Sequence, residues 1–201
     1  MAEKDKNNTR ERILRTAARL FSEKGYDKVT IREIAKDIDI NPASLYYHFI
    51  SKEEILLSLY DFYSGELRRG LPDLTELLQR AKTDEPLGLL ASATYNFDED
   101  KQEMLNQIQI TAARRLGNDP DSEIFIRENM FDTIRNIIKP LLERLVELCK
   151  IKPLDINKFI DVFSYYNFSA GVLTKTSFGH DLTEYQETLA WLFSLFIPAE
   201  E

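Results

Sequence analysis

Apolar residues recur along this chain every three or four positions, the spacing that places them on one face of an α-helix. The first such pattern covers about residues 8–24 and ends at Gly25, as a helix commonly does. Alternating patterns, which would indicate strands, are almost absent. The sequence therefore predicts an all-α fold. After the first four patterns, we predict further helices at about 73–82, 86–96, 99–116, 121–149, 154–178 and 182–197.

Residues 26–52 hold two short helix patterns joined by a tight turn. Thr30 and Glu33 have the spacing of a capping box at the start of the first. Asn41 and Pro42 open the second, where a side-chain oxygen and a missing N–H both suit a helix start. This arrangement predicts a helix-turn-helix whose second helix lies against duplex DNA.

The second helix has an inward and an outward face. Leu45 and Phe49, one turn apart, are predicted to anchor it to a small core. The outward residues offer hydroxyl, methyl and aromatic groups for base edges and phosphates, and Lys52 offers a charge. Alternatively, the tyrosines of a plain helical hairpin cover the edge of a core. The predicted DNA contacts are Thr30, Arg32, Asn41, Pro42, Ala43, Ser44, Tyr46, Tyr47, His48 and Lys52.

Two features of composition bear on this prediction. The 201 residues carry a net charge of -8, yet residues 1–52 hold 11 Lys and Arg against 8 Asp and Glu. A mildly basic head on an acidic body suits a protein that presents one end to phosphate. A single cysteine, Cys149, permits no intrachain disulfide, and no apolar run approaches the ~20 residues of a membrane span. With a polar N-terminus and no visible signal peptide, we expect a cytoplasmic protein.

The segment TAARLFSEKGYDKVTIREIAKDIDINPASLYYHFISKEEIL resembles the N-terminal domain of TetR-type transcriptional regulators. The likeness covers about residues 10–60 and rests on Ala-Ala-x-x-Leu-Phe, Lys-Gly-Tyr, Val-Thr-Ile, Glu-Ile-Ala, Leu-Tyr-x-His-Phe and Ser-Lys-Glu. One departure is Asp39, where the family usually has glycine in the turn. The resemblance implies an all-helical homodimer that reads a pseudo-palindromic operator and responds to a small inducer. We expect a three-helix DNA-binding domain at 1–50 and a larger helical ligand-binding and dimerisation domain at 51–201.

The second domain is less specified by its sequence. An apolar pocket between the middle helices is one interpretation of its aromatic and methionine residues, and simple core packing is the other. Small and apolar residues late in the chain suit a helix-pair dimer contact, or packing within one chain. The predicted ligand residues are Tyr60, Tyr63, Tyr95, Phe97, Met104, Ile108, Phe125 and Met130. The predicted dimer residues are Phe163, Asn167, Gly171, Thr174, Tyr185, Leu189, Leu192 and Phe196.

Three classes of function remain for comparison. The first is a ligand-responsive regulator, most often a repressor in the family that this chain resembles. The second is an enzyme, which the sequence does not favour, because it has no Gly-rich phosphate loop and no nucleophile motif. The third is a DNA-binding dimer whose body binds a protein instead of a small molecule. No residue spacing predicts a metal or a cofactor.

Overall fold

The computed structural model describes residues 2–93, 97–173, 187–188, 191–192 and 194–196. Every regular element within those residues is helical, which confirms the predicted fold class. The helices are α1 (Ala2–Lys24), α2 (Ile31–Asp37), α3 (Pro42–His48), α4 (Lys52–Gly70), α5 (Leu74–Arg80), α6 (Pro86–Ser92), α7 (Glu99–Ala113), α8 (Pro120–Ile126), α9 (Thr133–Glu147) and α10 (Ile156–Leu173). A short 3-10 turn at Tyr26–Lys28 joins α1 to α2. No helix in these described ranges is long and apolar enough to cross a membrane.

Side-chain caps define the starts of the short helices. The Thr30 hydroxyl oxygen accepts a hydrogen bond of 3.2 Å from the Glu33 backbone N–H, as its place in a capping box predicts. The Asn41 amide oxygen accepts one of 2.8 Å from the Ala43 N–H. Gly25 ends α1 with a φ of 87°, a left-handed conformation that glycine adopts without strain.

The chain forms two compact units, and the first combines Met1–Glu66 with Phe97–Phe125. In it α1 packs against both α2 and α7. Its core contains apolar side chains that the helical periodicity placed inward, together with residues of α4 and α7. The largest of them that are fully buried include Ile13, Leu20, Phe21, Ile34, Leu45, Phe49, Ile55, Leu59 and Leu105. The predicted domain boundary at residue 50 stays a prediction. By packing, the first part of α4 belongs with the N-terminal helices.

The second unit combines Leu67–Asn96 with Ile126–Glu201. Helix α9 packs against α5 and α10, and apolar residues of these helices and α6 form one cluster. Phe163 was predicted to face a dimer partner, but it is buried in this cluster beside Phe159, with ring centroids 6.1 Å apart. Leu192 and Phe196 pack against the same cluster. These three side chains therefore contribute to the core of their own chain.

A single helix was predicted over 121–149, and the backbone is helical from Pro120 to Glu147, with a change of helix type within it. One π-helical turn at Arg127–Asp132 separates α8 from α9. The wider turn changes the backbone pairing, and the Thr133 hydroxyl donates a hydrogen bond of 2.8 Å to the Glu128 carbonyl oxygen, five residues earlier. Pro140 lies inside α9, and the helix continues on both sides of it.

Candidate nucleic-acid interface

Helix α3 separates its buried and exposed side chains sharply. Leu45 is fully buried and Phe49, just after the helix, is 1% exposed. On the outside, Ala43 and Ser44 are exposed, and the side chains of Tyr46 and Tyr47 are 51% and 71% exposed. The tyrosines thus do not cover a core edge. The helix presents a small, uncharged surface of methyl, hydroxyl and phenol groups, which suits close approach to base edges.

The turn between α2 and α3 depends on Asp39. Its φ of 56° is left-handed, and aspartate tolerates this conformation better than most residues. The Arg12 guanidinium donates a hydrogen bond of 2.7 Å to the carbonyl oxygen of Ile38, the preceding residue. This bond ties the turn to α1, so the departure from glycine leaves a turn that still positions α3.

The side-chain oxygens of two predicted contact residues already accept hydrogen bonds within the protein. The oxygens of Thr30 and Asn41 accept capping hydrogen bonds, and the Thr30 hydroxyl proton and the Asn41 amide N–H groups remain available as donors to a phosphate. Arg32 is exposed on α2 and can reach outward. Beside it, Lys24 forms an ion pair with Glu33, and with the Thr30 backbone N–H it lowers the pKa of the Glu33 carboxyl.

Lys52 has a different environment from the one its predicted phosphate contact requires. Its ammonium donates hydrogen bonds of 2.9 Å to the Tyr26 carbonyl oxygen and 3.0 Å to that of Val29. It also lies 4.1 Å from the centroid of the Tyr26 ring, and burial lowers its pKa. Two of its three N–H groups are thus occupied within the protein. The first role of Lys52 is to join the start of α4 to the 3-10 turn.

The end of α3 is held by a second cation and by a second capping box. The Arg10 guanidinium lies 4.8 Å from the centroid of the Phe49 ring and donates to the Ser58 hydroxyl at 3.1 Å. The Ser51 hydroxyl oxygen accepts from the Glu54 N–H, and the Glu54 carboxylate accepts from the Ile50 N–H at 2.6 Å. Ile50 itself is 82% exposed beside the recognition helix, a position that periodicity gave no reason to single out.

Comparison with known proteins agrees with this geometry. The model of the family described as "Bacterial regulatory proteins, tetR family" matches residues 13–59, which contain the whole helix-turn-helix. Residues 13–59 thus resemble the N-terminal helix-turn-helix domain of the TetR family. The members of this family are transcriptional regulators rather than enzymes.

Two curated relatives each match a part of this chain. The uncharacterized HTH-type transcriptional regulator YerO of Bacillus subtilis is 33% identical over 99 residues, which are 49% of this chain and 34% of that protein. The IcaR negative transcriptional regulator of the icaADBC biofilm operon in Staphylococcus epidermidis is 52% identical over 46 residues, 23% of this chain and 25% of IcaR. The matches thus span about a third and a quarter of these relatives.

The fold extends the likeness beyond the helix-turn-helix. The crystal structure of AibR in complex with isovaleryl coenzyme A and operator DNA has a TM-score of 0.65 to this chain and 16% identity. The likeness covers 92% of this chain and 97% of AibR. The helical fold of this chain is therefore similar to that of AibR over most of its length.

Three of the predicted ligand residues meet in an aromatic cluster in the first unit. The Tyr60 ring stacks on Phe125 with centroids 4.3 Å apart, and Tyr63 meets Phe125 edge-on at 5.0 Å. All three are buried. Met104 and Ile108 are buried on α7 in the same unit, Phe97 is half-buried, and Met130 is buried in the second unit. Tyr95 lies outside the described residues.

The dimer prediction falls partly outside the described residues. Thr174, Tyr185 and Leu189 are not among them, and Gly171 is described only as part of α10. Asn167 is half-buried and its amide donates a hydrogen bond of 2.7 Å to the Phe163 carbonyl oxygen. In the second unit the structure also exposes large apolar side chains that were not among the predicted dimer residues, including Val162, Tyr165, Trp191 and Leu195.

Sites for other chemistry do not emerge from the described part of the chain. Within it, no three His, Cys, Asp or Glu side chains are grouped so that they could hold a metal ion. Arg114 and Arg115, two adjacent cations at the end of α7, both bind groups within the protein. Arg114 donates to the Ser22 carbonyl oxygen, and Arg115 pairs with Asp119 at 3.2 Å.

Proposed function

We propose that this protein is a homodimeric transcriptional repressor that leaves a palindromic operator when its body binds a small apolar or amphipathic molecule. The observation that carries the proposal is α3, which buries Leu45 and leaves Ala43, Ser44, Tyr46 and Tyr47 exposed. Repression is supported by the relative IcaR, which is described as a negative regulator. Such a protein acts on DNA in the cytoplasm.

The chemistry of α3 favours a particular mode of recognition. Residues 41–49 contain no Arg or Lys, so the bidentate arginine–guanine contact is not available from this helix. Ser44 offers a hydroxyl for base edges, Ala43 a methyl group that suits a thymine methyl, and Tyr47 a phenol that suits a phosphate oxygen. Arg32, exposed on α2, is the nearest group for a guanine or phosphate contact.

Two half-sites require two copies of α3 at a defined separation. A dimer through the exposed apolar residues of the second unit supplies them, because Val162 and Tyr165 lie one turn apart on α10 and expose 58% and 64% of their surfaces. Large apolar groups left in water on a single chain favour association. A second copy of this chain, rather than another protein, is the partner we propose.

Release requires a ligand that prefers the DNA-free state. The aromatic cluster of Tyr60, Tyr63 and Phe125 is the part of the first unit best suited to an apolar or amphipathic molecule, because stacked rings offer a large contact area. Two structural relatives, one in complex with choline and AibR in complex with isovaleryl coenzyme A and operator DNA, support small-molecule control in this fold.

The experiment that tests this function is selection of duplexes from a randomised pool by the purified full-length protein. We expect enrichment of a palindrome whose half-sites are centred about one helical turn, ~34–36 Å, apart. Failure to enrich any sequence contradicts the proposal. A thermal-shift screen of apolar and amphipathic small molecules on the same protein then tests control by a ligand. Stabilisation by none of them indicates that the body binds a protein instead.

A further inference from the structure

The Tyr26 ring contacts two cations from distant parts of the sequence. The Lys52 ammonium and the Arg115 guanidinium each lie 4.1 Å from its centroid. Lys52 opens α4, only four residues after the end of α3, and Arg115 follows the end of α7. The 3-10 turn of the DNA-binding head is thus attached to two helices through one aromatic ring.

From Arg115 the polar contacts continue to the aromatic cluster. The Asp119 carboxylate accepts a hydrogen bond of 3.2 Å from Arg115, one of 3.1 Å from the Ser122 backbone N–H and a short one from the Ser122 hydroxyl. The Tyr60 hydroxyl lies 2.7 Å from the Ser122 hydroxyl oxygen. We call Lys52, Tyr26, Arg115, Asp119, Ser122 and Tyr60 the polar network.

The direction of each hydrogen bond in this network is determined by proton counting. A serine hydroxyl has one proton, and that of Ser122 is donated to Asp119, so the Tyr60 hydroxyl must be the donor to Ser122. Burial raises the pKa of Tyr60 to about 12, which keeps this hydroxyl protonated. Burial alone would raise the pKa of Asp119, but hydrogen bonds from Arg115 and Ser122 lower it.

The network is buried enough for each bond to matter. Ser122 is fully buried, Tyr60 is 6% exposed, and the side chains of Arg115 and Asp119 are 19% and 15% exposed. Loss of a hydrogen-bond partner destabilises the protein far more at a buried polar group than at an exposed one, because no water replaces the bond. A change at Tyr60 therefore cannot be absorbed locally without disturbing Asp119 and Arg115.

We propose that the polar network transmits displacement of the Tyr60 ring to the start of α4 and the adjoining recognition helix. A molecule that separates Tyr60 from Phe125 moves the Tyr60 hydroxyl away from Ser122. The Ser122 hydroxyl then loses the donor that fixes its orientation toward Asp119, the Asp119 carboxylate and the Arg115 guanidinium lose their fixed positions, and the contacts of the Tyr26 ring with Arg115 and Lys52 change. The inference rests on the proposed function, and it makes Arg115 and Tyr26 positioning residues rather than DNA contacts.

Coupling is tested by a double-mutant cycle on operator affinity, measured by fluorescence anisotropy with a duplex selected by the wild type. Tyr60→Phe removes the hydroxyl and keeps the stacked ring, and Arg115→Met removes the cation and keeps most of the stem. We expect each single variant to bind the operator more weakly than the wild type. The double variant should bind at least about 3-fold more tightly than multiplication of the two single losses predicts. If Arg115→Met does not fold, Arg115→Lys replaces it.

The matched control pairs Tyr60→Phe with Arg19→Met. Arg19 forms an exposed ion pair with Asp37 within the head, at 2.7 Å, outside the polar network. The effects of Tyr60→Phe and Arg19→Met on operator affinity should multiply, because the two residues share no contact. A second readout needs no DNA: Tyr60→Phe should speed amide hydrogen exchange at Lys28 and Val29, whose N–H groups bond within the 3-10 turn.

The outcomes separate the coupling from the function on which it rests. Multiplying effects of Tyr60→Phe and Arg115→Met, with unchanged exchange at Lys28 and Val29, overturn the coupling and leave operator binding intact. A wild type that enriches no duplex overturns the proposed function, and the coupling with it. Non-multiplying effects together with faster exchange support the coupling.

Discussion

The Lys52 ammonium lies 4.1 Å from the centroid of the Tyr26 ring and donates a hydrogen bond of 2.9 Å to the Tyr26 carbonyl oxygen. One residue thus contacts both the side chain and the backbone of another that lies in a separate element. This contact joins α4 to the 3-10 turn from which α2 and α3 follow. The positions of the proposed DNA contacts on α2 and α3 depend on it.

Replacement of Lys52 by Met should therefore destabilise the protein. The substitution removes the charged donor of two hydrogen bonds from the Tyr26 and Val29 carbonyl oxygens. We therefore expect the free energy of unfolding, measured in urea, to fall by about 1–3 kcal/mol. Operator affinity should fall for all duplexes alike, with an unchanged dependence on salt. A decrease of about one in the salt slope would instead assign Lys52 the phosphate contact that its sequence position predicted.

Asp39→Gly should stabilise the turn before α3. The φ of 56° favours glycine, and we expect a gain of about 0.5–1 kcal/mol in the free energy of unfolding. The matched control is Lys36→Gly, which places glycine at an exposed position inside α2 and should be destabilising by about as much. Equal effects at both positions would contradict the role assigned to the left-handed backbone.

Ser44→Ala should change base preference at one position in each half-site, by about 1–3 kcal/mol, because an exposed hydroxyl on α3 is lost. Binding selection on randomised half-sites measures this preference. Thr75→Ala removes an exposed hydroxyl from the second unit and should leave the preference unaltered. If Ser44→Ala leaves it unaltered as well, sequence is read by Arg32 or by DNA shape.

Val162→Arg should separate the proposed dimer without unfolding the chain. The side chain is 58% exposed, so an arginine is tolerated on one chain but not in an apolar contact between two. Sedimentation should show monomers, and affinity for the full operator should fall to that for a half-site. Ile124→Arg, at a 43% exposed apolar position in the other unit, is the control that should remain dimeric. A wild type that sediments as a monomer at micromolar concentration would contradict the dimer itself.

The stability contributed by Asp119 should depend on pH. Its pKa in the folded protein is lowered by Arg115 and Ser122 against the effect of burial, so the folded state holds its charged form more strongly than the unfolded chain. This contribution is present above the unfolded pKa of about 3.9 and is lost as pH falls through the folded value.

Asp119→Asn should lower the free energy of unfolding by about 1–3 kcal/mol at pH 7. The difference from the wild type should shrink as pH falls from about 5 to about 2, as urea unfolding at several pH values measures. Asp121→Asn, which changes an exposed carboxylate nearby, should show no such trend. A difference that stays constant with pH would contradict the ionic role of Asp119.

The sequence by itself determined the helices of the head and the direction in which α3 faces. Periodicity, caps and turn residues act between neighbours in the chain, so Leu45 and Phe49 could be placed inward, and Thr30 and Asn41 at helix starts. The tolerance of Asp39 for a left-handed turn is equally local. The fold class follows from the same signals.

Only the tertiary structure decided which side chains remain available to a partner. A phenylalanine stripe on α10 has the same spacing whether it packs on its own chain, as Phe163 does, or on another. A lysine at the start of α4 has the same sequence context whether its charge meets a phosphate or the carbonyl oxygens of Tyr26 and Val29. The contact of Arg115 with Tyr26 joins distant segments, and such contacts form only once α1, α4 and α7 are packed together.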